Sequence, residues 1–272
     1  MEYERVATAL TVNKGAKHRY GTGMQVYPNQ IFDQQWPYYA FGGSVLDATQ
    51  TRQVLSSPGG LAAGRWMYHH MFWPGIASHN YGPSQIVAGN IAMAEIQAVN
   101  LLAAVGILQR AGIRDLLWLP TPVYPQGHYG FISDNLWCIN AETKHADAAW
   151  ELLKWLTVDT FWQKWLAKVF LQPPCLLSLW PEYTAIVENV VPALKGRGLK
   201  WFTAAAQGDW GFPMKYFLYS DMQAEALDNG WVKKLTAHQI GVNTAYTQAD
   251  GQVNAFEAAL APAAKAGAAH RA

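Results

Sequence analysis

Cysteine is nearly missing from this 272-residue chain: Cys138 and Cys175 are the only two. They stand in no metal-binding or redox spacing, which removes zinc-ribbon and thioredoxin-like readings. A disulfide between them is one reading, and two small buried hydrophobes the other. Net charge is nearly missing too. The 20 Lys and Arg against 19 Asp and Glu leave +1, which gives no electrostatic footprint for nucleic acid or an anionic membrane surface. No uninterrupted apolar run reaches the length of about 18 residues that a membrane helix needs, because the stretch from Ile91 to Leu108 is cut by Glu95, Gln97 and Asn100. Residues Met1 to His18 have no basic n-region, no apolar h-region and no small-residue cleavage site. These absences predict a chain that is soluble as written and carries no signal peptide.

What is there is apolar and aromatic. With 51% apolar and 14% charged positions, the chain can bury a sizeable core and is not disordered. The 13 Trp, 13 Tyr and 10 Phe are spread along the chain without a repeat, so some of these rings are expected to face a ligand.

Along the chain, Gly21 to Gly43 reads as a strand followed by a helix carrying Trp36 and Tyr39, ended by Gly42-Gly43. Ser57-Pro58 starts a second helix through Leu61, Arg65, Tyr68 and Met71, with proline where its missing N–H costs nothing. Ile91 to Met93 is strand-like. Leu116 to Leu119, closed by Pro120 and Pro122, reads as a short buried parallel strand. Residues 130–140 suggest another strand or pair of strands. Ala146, Ala149, Trp150, Leu153 and Leu156 then form one stripe on a helix. Trp162, Trp165, Leu166 and Val169 repeat the pattern on a second, with Thr157 or Asp159 as its cap and the prolines at 173 and 174 as its stop. Shorter helices are expected at Pro181 to Asn189 and Met214 to Asp228, on either side of a Gly- and Trp-rich loop from Gly196 to Phe212. Residues 258–272 read as a frayed tail, broken by Pro262 and Gly267. Alternating strands and helices argue for an α/β protein with a mainly parallel sheet, whose ligands bind beyond the strand ends.

No catalytic constellation stands out. Gly59 to Arg65 is glycine-rich but lacks the Lys-Ser/Thr of a phosphate loop, and close helix packing accounts for it. His69 and His70 are adjacent and point about 100° apart on a helix, while His79 and His128 are isolated, so no metal site is expected. There is no Gly-x-Ser-x-Gly. A carboxylate pair for glycoside chemistry can converge from distant loops, and no particular pair is favoured.

At residues 118–156, WLPTPVYPQGHYGFISDNLWCINAETKHADAAWELLKWL, the order of features becomes specific. A Leu-Pro strand end, a Pro/Gly loop, a Gly-containing strand and the helix Lys144-His145-Ala146-Asp147-Ala148-Ala149-Trp150-Glu151-Leu152-Leu153-Lys154-Trp155-Leu156 resemble the extracellular solute-binding proteins of ABC importers, the maltose-binding-protein-like family. Trp36-Pro37 with Ala40-Phe41-Gly42-Gly43, Ala88-Gly89-Asn90-Ile91-Ala92-Met93, and Leu171 to Tyr183 are similar to it in order and spacing. The resemblance spans roughly residues 10–256 and aligns with the later part of the family only. It implies a type II periplasmic-binding-protein-like fold of two lobes with a mainly parallel sheet, in which the N-terminal lobe is incomplete by on the order of 100 residues and the chain is a fragment or the product of a late start. Residues 1–127 would be the first part of the C-terminal-type lobe. Residues 128–183 would be the hinge and the remaining N-terminal-type lobe, 184–257 a helical return, and 258–272 a flexible tail.

The function implied is non-catalytic binding of a sugar or other small solute by lobe closure, as a monomer that serves ABC permease subunits. No cofactor and no nucleic acid are implied. The expected location is periplasmic or extracellular, with a lipoprotein anchor in the full-length form. A sugar offers an apolar ring face and a hydroxyl rim, so its site combines stacked rings with amides and carboxylates. Asp33 and Trp36 supply that mixture at a place which, by resemblance, faces the cleft; packing under the Gly-Gly turn is the alternative for Trp36. Gln97 and Asn100 follow the strand that enters the cleft, with a solvated helix face as the alternative. Tyr129, Ser133 and Asp134 flank the hinge strand. Trp210 is the leading stacking candidate, with Tyr216 close behind it in sequence. Trp150, Trp155, Trp162 and Trp165 are assigned to core or lobe-surface packing. A carbohydrate-active enzyme and a structural module without ligand remain the rival classes.

Overall fold

A computed structural model describes residues 1–14, 17–24, 35–94, 101–113, 117, 119–132, 137–206, 211–213, 231 and 233–269. Helix α1 (Glu2–Leu10) leads into strands β1 (Val12–Lys14) and β2 (Lys17–Gly23). Helix α2 (Trp36–Ala40) follows, then α3 (Pro58–Arg65), which continues as a π-helical turn over Trp66–Phe72. Next come β3 (Ala77–Ser78), α4 (Pro83–Val87), β4 (Ile91–Ala94), α5 (Leu101–Arg110), β5 (Val123–Tyr124), β6 (Gly127–His128) and β7 (Gly130–Ile132). The second half holds α6 (Ala146–Val158), α7 (Thr160–Phe170), α8 (Trp180–Val190), α9 (Leu199–Ala206), β8 (Gly211–Pro213), α10 (Lys233–Thr236) and α11 (Val242–Ala269).

β2 is the organising strand. It pairs antiparallel with β1, and in parallel with β3 through Thr22 and Ala77 and with β4 through Tyr20–Ile91 and Gly23–Ala94. β7 and β8 form a second parallel pair, Gly130–Gly211 to Ile132–Pro213, and β5–β6 a short hairpin. The mainly parallel arrangement agrees with the sequence reading.

Local signals that lie within a few residues came out as read. Ser57 caps α3, its Oγ accepting from the Gly60 N–H at 3.3 Å, with Pro58 at the first helical position. Asp159 caps α7, accepting from the Trp162 N–H at 2.8 Å. The glycines of α3 serve backbone contact: a Cβ on Gly59 would strike the Gly42–Gly43 backbone, and one on Gly21 would strike the Ala7 carbonyl.

Other expectations fail. Leu117 and Leu119 are exposed and lie outside any strand; a short apolar run becomes a buried strand only if a neighbour pairs with it and covers it. Part of the loop expected over 196–212 is helix α9. α11 continues through Pro262 to Ala269 where a break was expected, because its alanine run is the strongest helix-forming sequence available to offset the lost proline hydrogen bond. Cys138 and Cys175 are neither paired nor buried: both are free and exposed. The helix expected over 214–228 lies outside the described residues.

The buried side chains fall into two cores. The first gathers Ala7, Met24, Trp36, Val45, Leu55, Trp66 and Tyr68 with Tyr124, and with Leu235, Tyr246 and Val253 from the far end of the chain. α11 is tied to it by polar groups as well. Asp250 accepts from the Leu55 N–H (2.9 Å), the Ser56 N–H (2.8 Å) and the Ser56 hydroxyl (2.6 Å). One turn on, Asn254 accepts from the Gln53 N–H and donates to its carbonyl. The second core gathers Leu101 and Val105 from α5 with Ala167, Leu171, Trp180, Tyr183, Val187 and Leu199. Here the buried Gln163 donates to the Leu156 carbonyl and accepts from the Cys175 N–H, both at 2.8 Å, joining the end of α6 to the loop after α7.

Candidate ligand-binding region

Parallel sheets offer ligands the segments that leave the carboxyl ends of their strands. Gly23 of β2 and Ala94 of β4 are direct partners in the sheet, so residues 25–34 and 95–100 depart from neighbouring strand ends. Ile132 of β7 and Pro213 of β8 are likewise partners, and residues 133–136 and 214 onward depart from them. Asp33, Gln97, Asn100, Ser133, Asp134, Trp210 and Tyr216 lie outside the described residues. What the structure fixes is the strand ends next to them in the chain. Trp210 differs from the rest in preceding its strand, as Tyr129 precedes Gly130, the strand partner of Gly211.

Two candidates are described. Trp36 is 4% exposed. Its ring sits 4.9 Å from that of Tyr124 and 6.2 Å from that of Trp66, in an aromatic cluster that also takes in Phe41 and Tyr3. This is a packing environment, the alternative set beside it in the sequence. Tyr129 is half-buried at the edge of the same core.

Polar residues that the sequence reading passed over lie at the first pair of strand ends: Thr22 and Ser78 are buried. Gln35, which the sequence groups with Asp33 and Trp36, is buried as well. The Thr22 hydroxyl is 2.7 Å from the Tyr3 hydroxyl, and Ser78 accepts from the Asn80 N–H at 3.0 Å. Nothing local distinguishes them from surface hydroxyls and amides; only burial does.

The titrating groups that burial perturbs are phenols. The Tyr38 hydroxyl, 3.1 Å from that of Tyr246, is pushed up to about 12 by burial, with the nearby Asp250 charge adding to it. Burial also raises Tyr68 and Tyr246, each further opposed by the Tyr38 charge. Raised phenols are held neutral and act as packing groups at physiological pH. Among the described residues no cluster of His, Cys, Asp or Glu could hold a metal ion, and no helix is long and apolar enough to cross a membrane. A shallow depression lined by Gln163, Ala167, Pro174 and Tyr183 has no interior room for a small molecule.

Comparison of the whole chain with solved structures finds the same architecture elsewhere. An ABC substrate-binding protein from Listeria monocytogenes, solved with cycloalternan, superposes with a TM-score of 0.70 at 13% identity, over 94% of this chain and 62% of that one. The maltose/maltodextrin-binding domain from Bdellovibrio bacteriovorus, bound to maltotriose, gives 0.69 at 20% identity, over 94% and 65%. This chain has the type II periplasmic-binding-protein fold. A third protein with the fold, UgpB from Mycobacterium tuberculosis in complex with glycerophosphocholine, gives 0.63 at 17% identity, over 88% and 58%. The chain thus spans less than two thirds of each of these binding proteins. No family model and no curated protein matches it.

Proposed function

We propose that this chain takes part in non-catalytic capture of a sugar or similar small solute for an ABC importer. The observation that carries the reading is the type II binding-protein fold over nearly the whole chain, with candidate polar and aromatic residues on segments that leave adjoining parallel strand ends. The fold's solved examples include complexes with cycloalternan and maltotriose, hydroxyl-rich ligands that suit amides, carboxylates and rings, and with glycerophosphocholine.

The two cores are the basis of the two lobes in this proposal. Of the described residues, those within 1–94 and 231–257 belong to one, and those within 101–113 and 146–206 to the other. The sequence reading instead places its boundaries near 127 and 183. A ligand that touches both lobes binds the closed arrangement better and shifts the population toward it. Asp33, Gln97, Asn100, Ser133, Asp134, Trp210 and Tyr216 are the contacts proposed, with Tyr129 beside them; Trp36 acts from behind, by bracing the aromatic cluster. Delivery to permease subunits and a periplasmic or extracellular location, with a lipoprotein anchor on a longer form, belong to the same proposal.

The test is a thermal-shift screen of the 272-residue chain against a panel of maltooligosaccharides and other sugars. A ligand at 100 times its Kd stabilises by about 2.7 kcal/mol, a shift of several degrees. The shift should come from one sugar class and vanish in Trp210→Ala. No shift from any member of the panel would sink the reading for this chain.

A further inference from the structure

Helix α2 is only five residues long, too short to hold itself in place by its own backbone bonds. Its position is set from outside. Trp36, Tyr38 and Ala40 are buried, and Trp36 joins the ring cluster with Tyr124 and Trp66. Tyr38 reaches α11 instead, its hydroxyl 3.1 Å from that of Tyr246 and the two rings 6.0 Å apart. Both phenols are buried, where solvent does not compete for the hydrogen bond between them. Tyr246 is itself held from two directions. Its ring packs so closely on Gly64 that a Cβ there would strike it, and one turn further along α11 Asp250 is bonded to the Leu55–Ser56 segment.

What α2 positions is the chain before it. Residues 25–34 run from the end of β2, where the Met24 N–H donates to the Ser78 carbonyl at 3.0 Å, to Gln35, the N-cap of α2. Asp33, one of the proposed solute contacts, stands five positions before Tyr38. A binding constellation has to be held to about 0.5 Å by groups that are themselves locked by packing and hydrogen bonds, and the Tyr38–Tyr246 contact is such a lock at one end of this segment. We propose that the paired hydroxyls of Tyr38 and Tyr246 form a latch through which α11 sets the position of α2 and, through it, of the solute-contacting segment at 25–34. Tyr38 and Tyr246 are then positioning residues for solute binding. The positioning role rests on the proposed function; the latch does not.

The test uses the 272-residue chain with Tyr246→Phe, with Tyr38→Phe and Tyr246→Phe together, and with Asn254→Ala. Amide exchange is read by mass spectrometry and affinity by calorimetry against the same sugar panel. Tyr246→Phe should speed exchange over residues 38–43, whose N–H groups bond within α2 and the turn after it, by about fivefold, the change that one net hydrogen bond allows. Exchange in α7, which belongs to the second core, should not change. Sugar affinity should fall by about fivefold, within the range by which residues outside a site modulate binding. The double variant strands no hydroxyl, so its Tm should return toward that of the parent, while its affinity stays low because the latch is still absent. Asn254→Ala cuts two bonds between α11 and Gln53; it should lower Tm but change affinity by less than about twofold. Unchanged exchange over 38–43 in Tyr246→Phe would overturn the latch. Faster exchange with unchanged affinity, or affinity restored in the double variant, would overturn the positioning role. Faster exchange in the variant of a parent that binds no sugar of the panel would overturn the proposed function, and the positioning role with it, and would support the latch alone.

Discussion

Asp250→Ala should loosen the fold where α11 meets the Leu55–Ser56 segment. Asp250, 7% exposed, is the acceptor for two backbone N–H groups and one hydroxyl on the Leu55–Ser56 segment. Truncation removes charge-assisted hydrogen bonds that contribute about 1.5–3 kcal/mol each, and these losses do not add fully. Ser56 is only half-buried, so water can replace its partner; Leu55 is fully buried, and its N–H is left with nothing. The expected loss is therefore about 3 kcal/mol, mainly the desolvation of one buried donor. For a chain of this size that lowers Tm by about 6–10 °C. Asp250→Asn keeps the shape but turns an NH₂ toward a donor, and should lose nearly as much. Asn243→Ala, on the same helix but in an exposed contact with Arg65, should change Tm by less than about 1 °C. Thermal and urea unfolding followed by circular dichroism measure all three. If Asp250→Ala unfolds within 1 °C of the parent, the claim that this carboxylate anchors α11 is refuted.

Gly59→Ala and Gly21→Ala should each prevent folding or cost about 3 kcal/mol or more, because the added methyl meets backbone that has no room to give; soluble yield and Tm decide it. Gln163→Ala should cost about 1 kcal/mol, because it removes two hydrogen bonds whose partners, on half-buried Leu156 and exposed Cys175, can turn to water; urea unfolding with near-UV circular dichroism from the adjacent tryptophans measures it. Raised phenol pKa values mean that the folded state holds protons the unfolded state releases from about pH 10. Stability is therefore complete below pH 10 and declines between pH 10 and 12 as Tyr38 is titrated, with Tyr68, Tyr183 and Tyr246 adding to the loss. Tyr38 alone is worth about 3 kcal/mol across that window. A flat Tm from pH 9 to 11.5 would contradict the burial of these hydroxyls.

The sequence by itself determined what depends on neighbours within a few residues. The cap at Ser57, the cap at Asp159, the stripe on α6 and the strand at Ile91 each follow from local spacing, because a cap or an apolar stripe is set by residues within a turn or two. The family resemblance, carried by residues 118–156, likewise led to the fold that the solved structures share. Where a side chain ends up depended on partners far along the chain. Trp36 could face a cleft or a core until Trp66 and Tyr124 closed around it. Asp250 looked like one more polar residue on an alanine-rich helix until Leu55 and Ser56, nearly 200 positions earlier, came within hydrogen-bond reach. Trp150, Trp155 and Trp165 of α6 and α7 carry a core pattern, yet they stand exposed, because periodicity states only that a helix has an apolar face. Whether something covers that face is decided by the rest of the tertiary structure.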